Sequence, residues 1–209
     1  MNTQKAGWIA AAVLAGGIVT VGFNQATKTG IVDVEKVFNE STLAKNQSES
    51  LRAMGTARQS VLEFLQTYQH MKPEDATKFK ELTIKTAALT APEKAELERI
   101  KNESQAAETK YRELVTKTPP TPEELKQVED FNRRKDAVGD LFQQWNAEFR
   151  QEVDAKNASL RADVLGKVRI AIAKVGREQG YSVIFDANVA PYAANDVTED
   201  ALKAVNAMK

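Results

Sequence analysis

The stretch YSVIFDANVAPYAANDVTEDALKAV (residues 181–205) decides the fold, because it interrupts a long helical pattern with a run of β-branched and aromatic residues. This run predicts a strand over residues 181–186. Gly180 is expected to end the preceding helix, since glycine adopts positive φ without strain. Asp186 and Asn188 are expected to shape the turn that follows the strand. Asp196 or Thr198 is available to cap a short final helix.

A second short strand is predicted near the other end of the chain. Ile31, Val32 and Val34 form a β-branched run introduced by Gly30. Two isolated strands are only marginally stable in water, so further strands are expected from other copies of the chain. Residues 27–40 and 180–209 are therefore predicted to form a β-rich assembly body. The expected assembly contacts are Ile31, Val32, Val34, Val183, Ile184 and Phe185.

Between these strands, one very long helix is predicted over residues 122–179. Its apolar positions recur every three or four residues, and Trp145 is interpreted as packing in this stripe rather than as a partner-binding residue. A helix of ~58 residues extends on the order of 85 Å. Its apolar stripe needs a partner of similar length, which only residues 35–117 supply. The fold class is thus α+β, with a kinked antiparallel helical hairpin arm over residues 41–179.

Three proline-containing breaks divide the arm, near residues 72, 91 and 118–122. Pro73 fits the first turn of a new helix, where its missing N–H costs nothing. Thr90 and Glu93 have the spacing of a capping box, and Thr121 and Glu124 repeat that spacing. New helices are therefore predicted near residues 73, 91 and 122. The sequence leaves open which break reverses the chain.

The apolar stripes of the ascending side predict a narrow seam. From Glu35 onward, one helix is expected to run to Lys72 with a single amphipathic face. A coiled-coil pattern follows between the second and third breaks. Its members are Leu97, Ile100, Ser104, Ala107, Tyr111 and Leu114. Small or polar residues in the stripes favour a narrow contact over a broad buried face.

The N-terminal residues 1–26 are typical of an export segment. The uncharged run from Gly7 to Phe23 follows a short stretch that contains Lys5. It is slightly shorter than the ~20 residues of a comfortable membrane span, but longer than a minimal signal-peptide core. Both a cleaved signal peptide and a retained membrane anchor, with membrane association through this run, are therefore open.

Composition excludes several function classes. The 29 Lys and Arg residues balance 29 Asp and Glu residues, so no net charge attracts nucleic acid. The chain has no cysteine and one histidine, His70, which rules out an ordinary zinc site. His70 is expected to be an exposed residue at a helix end. No nucleophile elbow or phosphate loop is present, and neither an enzyme activity nor a cofactor is expected.

The two ends of the chain also carry a resemblance to a known family. TGIVDVEKVFNES (residues 29–41) leads from a hydrophobic strand into a helix. YSVIFDANVAPYAANDVTEDALKAVN (residues 181–206) has an apolar strand, then Asp186 and Ala187, then Tyr192, and Asp-Val-Thr before a short helix. Together these stretches resemble the Skp/OmpH family of periplasmic chaperones.

The resemblance implies a homotrimer whose β-strands form a central body from which helical hairpins extend. It implies an ATP-independent holdase that keeps unfolded outer-membrane proteins between the arms, in the periplasm. The better-known members have strongly basic arms, whereas residues 72–117 hold ten basic and nine acidic residues. No client-binding residue is carried over. The alternative function is a membrane-anchored coiled-coil scaffold or spacer of the cell envelope.

Overall fold

The computed structural model describes residues 28–190 and 195–208 and has the α+β fold that the sequence predicts. In chain order the elements are β1 (Thr29–Val32), α1 (Val34–Glu40), α2 (Thr42–Thr67), α3 (Pro73–Thr83), α4 (Ala91–Thr116), α5 (Pro122–Gln179), β2 (Val183–Asp186) and α6 (Thr198–Asn206). Two compact units are present: an end unit (Met1–Ser41 with Leu165–Lys209) and a middle unit (Thr42–Val164).

The end unit contains a two-stranded parallel sheet made from both ends of the chain. Thr29 pairs with Val183, and Val32 pairs with Asp186. The sequence prediction placed the first strand too late, because β1 ends at Val32 and Val34 is already helical. Asp33 causes this early end, since its side chain accepts a hydrogen bond from the amide of Lys36 and so caps α1.

The single helix expected from Glu35 to Lys72 is divided at Ser41. The backbone of Ser41 is extended (φ −62°, ψ 139°), and its hydroxyl donates a hydrogen bond to the carbonyl of Phe38. That bond satisfies one of the carbonyl groups that a helix end leaves without a partner. The chain therefore leaves α1 and begins α2 at Thr42.

Glycine at two positions allows the end unit to close. Gly180 has φ 71° at the end of α5, in the left-handed region that favours glycine. Gly30 lies so close to its neighbours that an added Cβ would be 3.0 Å from the ring of Tyr181 and 3.3 Å from the carbonyl oxygen of Asn195. A side chain at position 30 would therefore force the Tyr181 ring or the backbone at Asn195 to shift by a few tenths of an ångström.

In the middle unit, contacts between helices show where the chain reverses. Lys117 bonds Glu124 at 2.5 Å, and Tyr111 donates a hydrogen bond to Asn132 at 3.4 Å. These pairs place the end of α4 beside the start of α5, so the break at residues 117–121 reverses the chain. Farther along α5, Glu152 pairs with Arg58 of α2, and Asp163 accepts a hydrogen bond from Gln47 nearer the start of α2. Helices α2 and α4 thus both run antiparallel to α5.

The helices of the arm begin at the caps that the sequence predicts. Thr90 and Glu93 form a complete capping box. The side chain of Lys85 bonds Glu93, and together with the hydrogen bonds from Thr90 it lowers the pKa of Glu93 to about 2. Glu124 is similar, since bonds from Lys117 and Thr121 lower its pKa to about 2. Both carboxylates also favour their helices by lying near the N-terminal dipole.

The core of the middle unit is broader than the seam that the sequence predicts. Four helices and one turn contribute to it, because the breaks allow α3 to fold back onto α2. The buried members are Val61, Leu65, Met71, Ala76, Phe79, Ile100, Val138, Trp145 and Phe149. Trp145 is only 4% exposed, so its side chain is packed in this core.

Candidate functional site

The sheet of the end unit has two chemically different faces. In a parallel pair, residues at the same register position point to the same side of the sheet. Gly30, Val32, Ile184 and Asp186 therefore share one face, which we call the closed face. Thr29, Ile31, Val183 and Phe185 share the other, which we call the open face.

The closed face packs against the rest of the end unit. Val32 is 2% exposed, and Ile184 is half-buried. An added Cβ on Gly176 of α5 would lie 3.3 Å from the side chain of Ile184, so this helix directly supports β2. Two of the six predicted assembly residues, Val32 and Ile184, thus lie on the side that the chain itself covers.

The open face is apolar and accessible. Val183 is 44% exposed and Phe185 is 43% exposed, while their neighbour Ile31 is half-buried. Val189, in the turn after β2, is 77% exposed. In the part of the chain that the structure describes, this face is therefore only partly covered. Ile31, Val183 and Phe185 are therefore the predicted assembly residues that the structure brings together, and Val34 lies apart from them in α1.

Hydrogen bonding distinguishes the two edges of the sheet. β1 lies between β2 and residues 195–197, since the amide of Ile31 donates to Asn195 at 2.8 Å and the amide of Val197 donates to Ile31 at 2.9 Å. Both edges of β1 are thus occupied. Among the described residues, β2 is paired on one side only, so its outer edge is the edge at which another strand has room to pair.

A polar network joins the start of α1 to the start of α6. The hydroxyl of Thr198 accepts a hydrogen bond from the amide of Asp33 at 2.9 Å and donates to Asp196 at 2.6 Å. Asp196 also accepts from the amide of Thr198, and these bonds lower the pKa of the Asp196 carboxyl. The residue at the N-cap position itself is Val197. The predicted candidates Asp196 and Thr198 therefore flank the cap, and Asp196 bonds the first amide of α6.

The expectation for His70 is wrong. Its side chain is buried, with the residue only 6% exposed. The backbone amide and the ring Nδ1 of His70 both donate to the carboxylate of Glu108, at 2.8 and 2.9 Å, and the ring stacks on Tyr111. These contacts fix the turn before α3 against α4, which is a structural role. Among the described residues, no group of His, Asp and Glu side chains is arranged to hold a metal ion.

The turn after β2 forms as expected, because Asp186 accepts a hydrogen bond from the amide of Asn188 at 2.9 Å. The export segment, including the run from Gly7 to Phe23, lies outside the described residues, as does Tyr192. None of the helices that the structure describes is both long and apolar enough to cross a membrane.

A comparison with protein families gives a match that includes helices of the arm together with the C-terminal end. A family model described as Outer membrane protein (OmpH-like) matches residues 73–205, more than half of the chain. The chain belongs to the OmpH-like family. The matched part of this OmpH-like chain runs from α3 into α6 and includes β2. The family resemblance inferred from the two ends of the sequence is thereby confirmed.

A curated relative extends the similarity to nearly the whole of the OmpH-like chain. The protein named Chaperone protein Skp from Yersinia enterocolitica is 25% identical over 204 residues. The alignment covers 95% of this chain and 98% of the relative. The chain therefore has about the same extent as a protein that is named a chaperone.

Proposed function

We propose that this OmpH-like chain is an exported, ATP-independent holdase chaperone. It acts as a homotrimer that binds unfolded outer-membrane proteins between helical hairpins and prevents their aggregation. The observation that carries the proposal is the family match over residues 73–205, supported by the relative that is named a chaperone. A holdase needs no catalytic residue, because the client is released when it reaches a more favourable folded state in the membrane.

The open face of the sheet supports the trimeric part of the proposal. It presents Ile31, Val183 and Phe185 beside the free edge of β2. A two-stranded sheet of four residues per strand is marginal alone, and a second copy supplies both additional strands and apolar cover. Exposed apolar surface next to an unpaired strand edge is also an aggregation hazard, which oligomerisation removes.

The proposed location is the periplasm, with residues 1–26 acting as a signal peptide or as a retained inner-membrane anchor. Mass spectrometry of the mature protein purified from its native envelope distinguishes the two. A mature N-terminus near residue 27 indicates cleavage, whereas an intact N-terminal segment in the membrane fraction indicates an anchor.

The test of the holdase function is protection of a client. An outer-membrane β-barrel protein unfolded in urea is diluted into buffer with and without the purified chain, and aggregation is followed by light scattering. The proposal predicts suppression near one trimer per client, without ATP. An inert helical protein at equal mass is the control. Aggregation that proceeds equally in both samples contradicts the holdase function.

A further inference from the structure

Helix α3 covers a surface that is rich in aromatic side chains. Phe79 of α3 stacks on Phe64 of α2, with ring centroids 3.8 Å apart and nearly parallel planes. The ammonium of Lys80 lies 4.7 Å from the ring centroid of Trp145 and 5.2 Å from that of Phe149. We call Phe64, Trp145 and Phe149 the aromatic surface. Without α3, these three rings would lose the contacts that Phe79 and Lys80 make with them.

By itself α3 is a weak helix. It has 11 residues, fewer than an isolated helix needs to be stable in water. Its N-cap residue, Lys72, makes no side-chain capping bond. The chain is not helical over residues 68–72 and 84–90, on either side of α3. The stability of α3 therefore comes from docking, and non-helical segments at both ends allow it to move without unfolding α2 or α4.

Each ion pair that holds α3 has one partner in contact with solvent. Asp75 bonds Arg99 of α4 at 2.7 Å, and Lys80 bonds Glu148 of α5 at 2.8 Å. The side chains of Arg99 and Glu148 are 40% and 37% exposed, whereas those of Asp75 and Lys80 are 12% and 17% exposed. Solvent screening of the exposed partner reduces what each pair contributes to the docking of α3. The turn before α3 is held more firmly, through the buried contact of His70 with Glu108. α3 can therefore move away from the core while this turn stays attached to α4.

We propose that α3 is a displaceable cover, and that aromatic and aliphatic segments of an unfolded polypeptide replace it on the aromatic surface. The inference rests on the proposed holdase function and assigns a binding surface to it. The chemistry of the occupant follows from α3 itself, which places Ala76, Phe79 and Leu82 in the core and a lysine over aromatic rings. A client segment with one aromatic residue, neighbouring aliphatic residues and a basic residue supplies the same contacts.

The test uses a cross-link that holds α3 in its docked position. The chain has no cysteine, so Lys80→Cys with Glu148→Cys gives one pair that a short, reducible thiol cross-linker can join. The matched control is Gln47→Cys with Asp163→Cys, which joins α2 to α5 at another polar contact and leaves α3 free. Affinity for a urea-unfolded outer-membrane β-barrel protein is measured for both full-length proteins, cross-linked and after reduction.

We expect cross-linking of the first pair to weaken client binding at least about tenfold, with recovery on reduction, and the control pair to change less than about twofold. Equal affinity of the cross-linked and reduced forms of the first pair overturns the cover. Loss of binding in both cross-linked pairs also overturns it, since stiffness of the arm then explains the effect. A reduced protein that binds no client refutes the holdase function, and with it the proposed occupant.

Hydrogen exchange gives a readout of the movement that does not depend on affinity. In the wild-type protein, amides of α3 are expected to exchange about 100-fold faster than those of α5 around Val138 and Phe149, because α3 opens locally. Addition of the unfolded client is expected to expose the α3 amides further. Exchange of α3 together with the core, unchanged by client, overturns the cover.

Discussion

The end unit and the middle unit differ in how far they bury their large apolar side chains. The middle unit buries Phe79, Trp145 and Phe149 to 5% exposure or less. The end unit fills its interior mainly with valine and alanine, and it leaves Phe185 of β2 43% exposed. The core of the middle unit is thus complete within one chain. The sheet of the end unit has an apolar face that the described residues leave partly exposed, so its stability is expected to depend on assembly.

The largest expected effect follows from a charge on the open face. Phe185→Glu places a carboxylate in the proposed trimer contact, where it would be desolvated without a partner. We expect loss of the trimer at micromolar concentration, because each trimer would hold three such carboxylates at about 3–5 kcal/mol each. Light scattering after size-exclusion chromatography measures the mass, and circular dichroism is expected to show nearly unchanged helix content.

Leu125→Glu is the matched control for this variant, because Leu125 is 51% exposed on α5 in the middle unit. It is expected to remain trimeric. A trimer that survives in the Phe185→Glu variant would remove the open face from the interface. Ile184 is a poorer test than Phe185, since it lies on the closed face and its replacement would also disturb packing within the chain.

A smaller effect is expected from a cavity in the middle unit. Phe149→Ala removes a ring that is 3% exposed, and we expect a loss of about 3–5 kcal/mol in the free energy of unfolding. Trp145 remains as a fluorescent reporter for unfolding in urea. Val115→Ala is the control, because Val115 is half exposed, and its change is expected to stay within about 0.5 kcal/mol. Equal losses for the two variants would mean that the middle unit lacks a specific core.

Gly30→Ala tests the close approach inside the end unit. The new Cβ would lie 3.0 Å from the Tyr181 ring and near a backbone carbonyl, so we expect a loss of about 1–3 kcal/mol. The control is Gly55→Ala in α2, where no neighbouring atom lies within 4 Å. There a helix-interior alanine is expected to stabilise the chain by up to about 1 kcal/mol. Urea unfolding measures both, and the same sign at both sites would contradict the packing described for Gly30.

The smallest effect concerns acid and the cap of α4. The pKa of Glu93 is lowered to about 2 in the folded chain, against about 4.3 in an unfolded one. Its ionised form therefore stabilises the fold above about pH 4.3, and this contribution is lost as the pH falls through about 2. The difference in unfolding free energy between wild type and Glu93→Gln is expected to shrink from pH 6 towards pH 3.

Glu98→Gln on the same helix is the control for removal of a surface charge, since Glu98 makes an exposed ion pair with Lys101. Its difference from wild type at pH 6 is expected to be within about 0.5 kcal/mol. A difference for Glu93→Gln that grows on acidification would contradict the lowered pKa.

Local chemistry made much of the helical part predictable. Pro73, Thr90 and Thr121 act through neighbours within four residues, so the starts of α3, α4 and α5 follow from short patterns. The burial of His70 was not predictable in this way. Its partner, Glu108, is 38 positions away, and the two meet only because α3 folds back and α4 returns beside it.

The candidate site likewise combines features that follow from short sequence patterns with features that depend on distant contacts. The β-branched run around Ile184 identifies a strand, and alternation along the strand assigns its residues to two faces. Only the packing of α5 against Ile184 shows which face is covered. The early end of β1 was predictable from a short pattern, because Asp33 lies three residues before Lys36 and caps α1 through the amide of that residue.

β1 lies between β2 and residues 195–197, so the sheet needs residues from both ends of the chain. Hydrogen bonds from this region join residues 151 to 166 positions apart, including Asn195 with Thr29 and Thr198 with Asp33. Such distant contacts form slowly, because a long loop must close before any of them contributes. The sheet cannot form until the last part of the chain has been made. A truncated chain would therefore fold its helices without forming the open face, which is the proposed trimer contact.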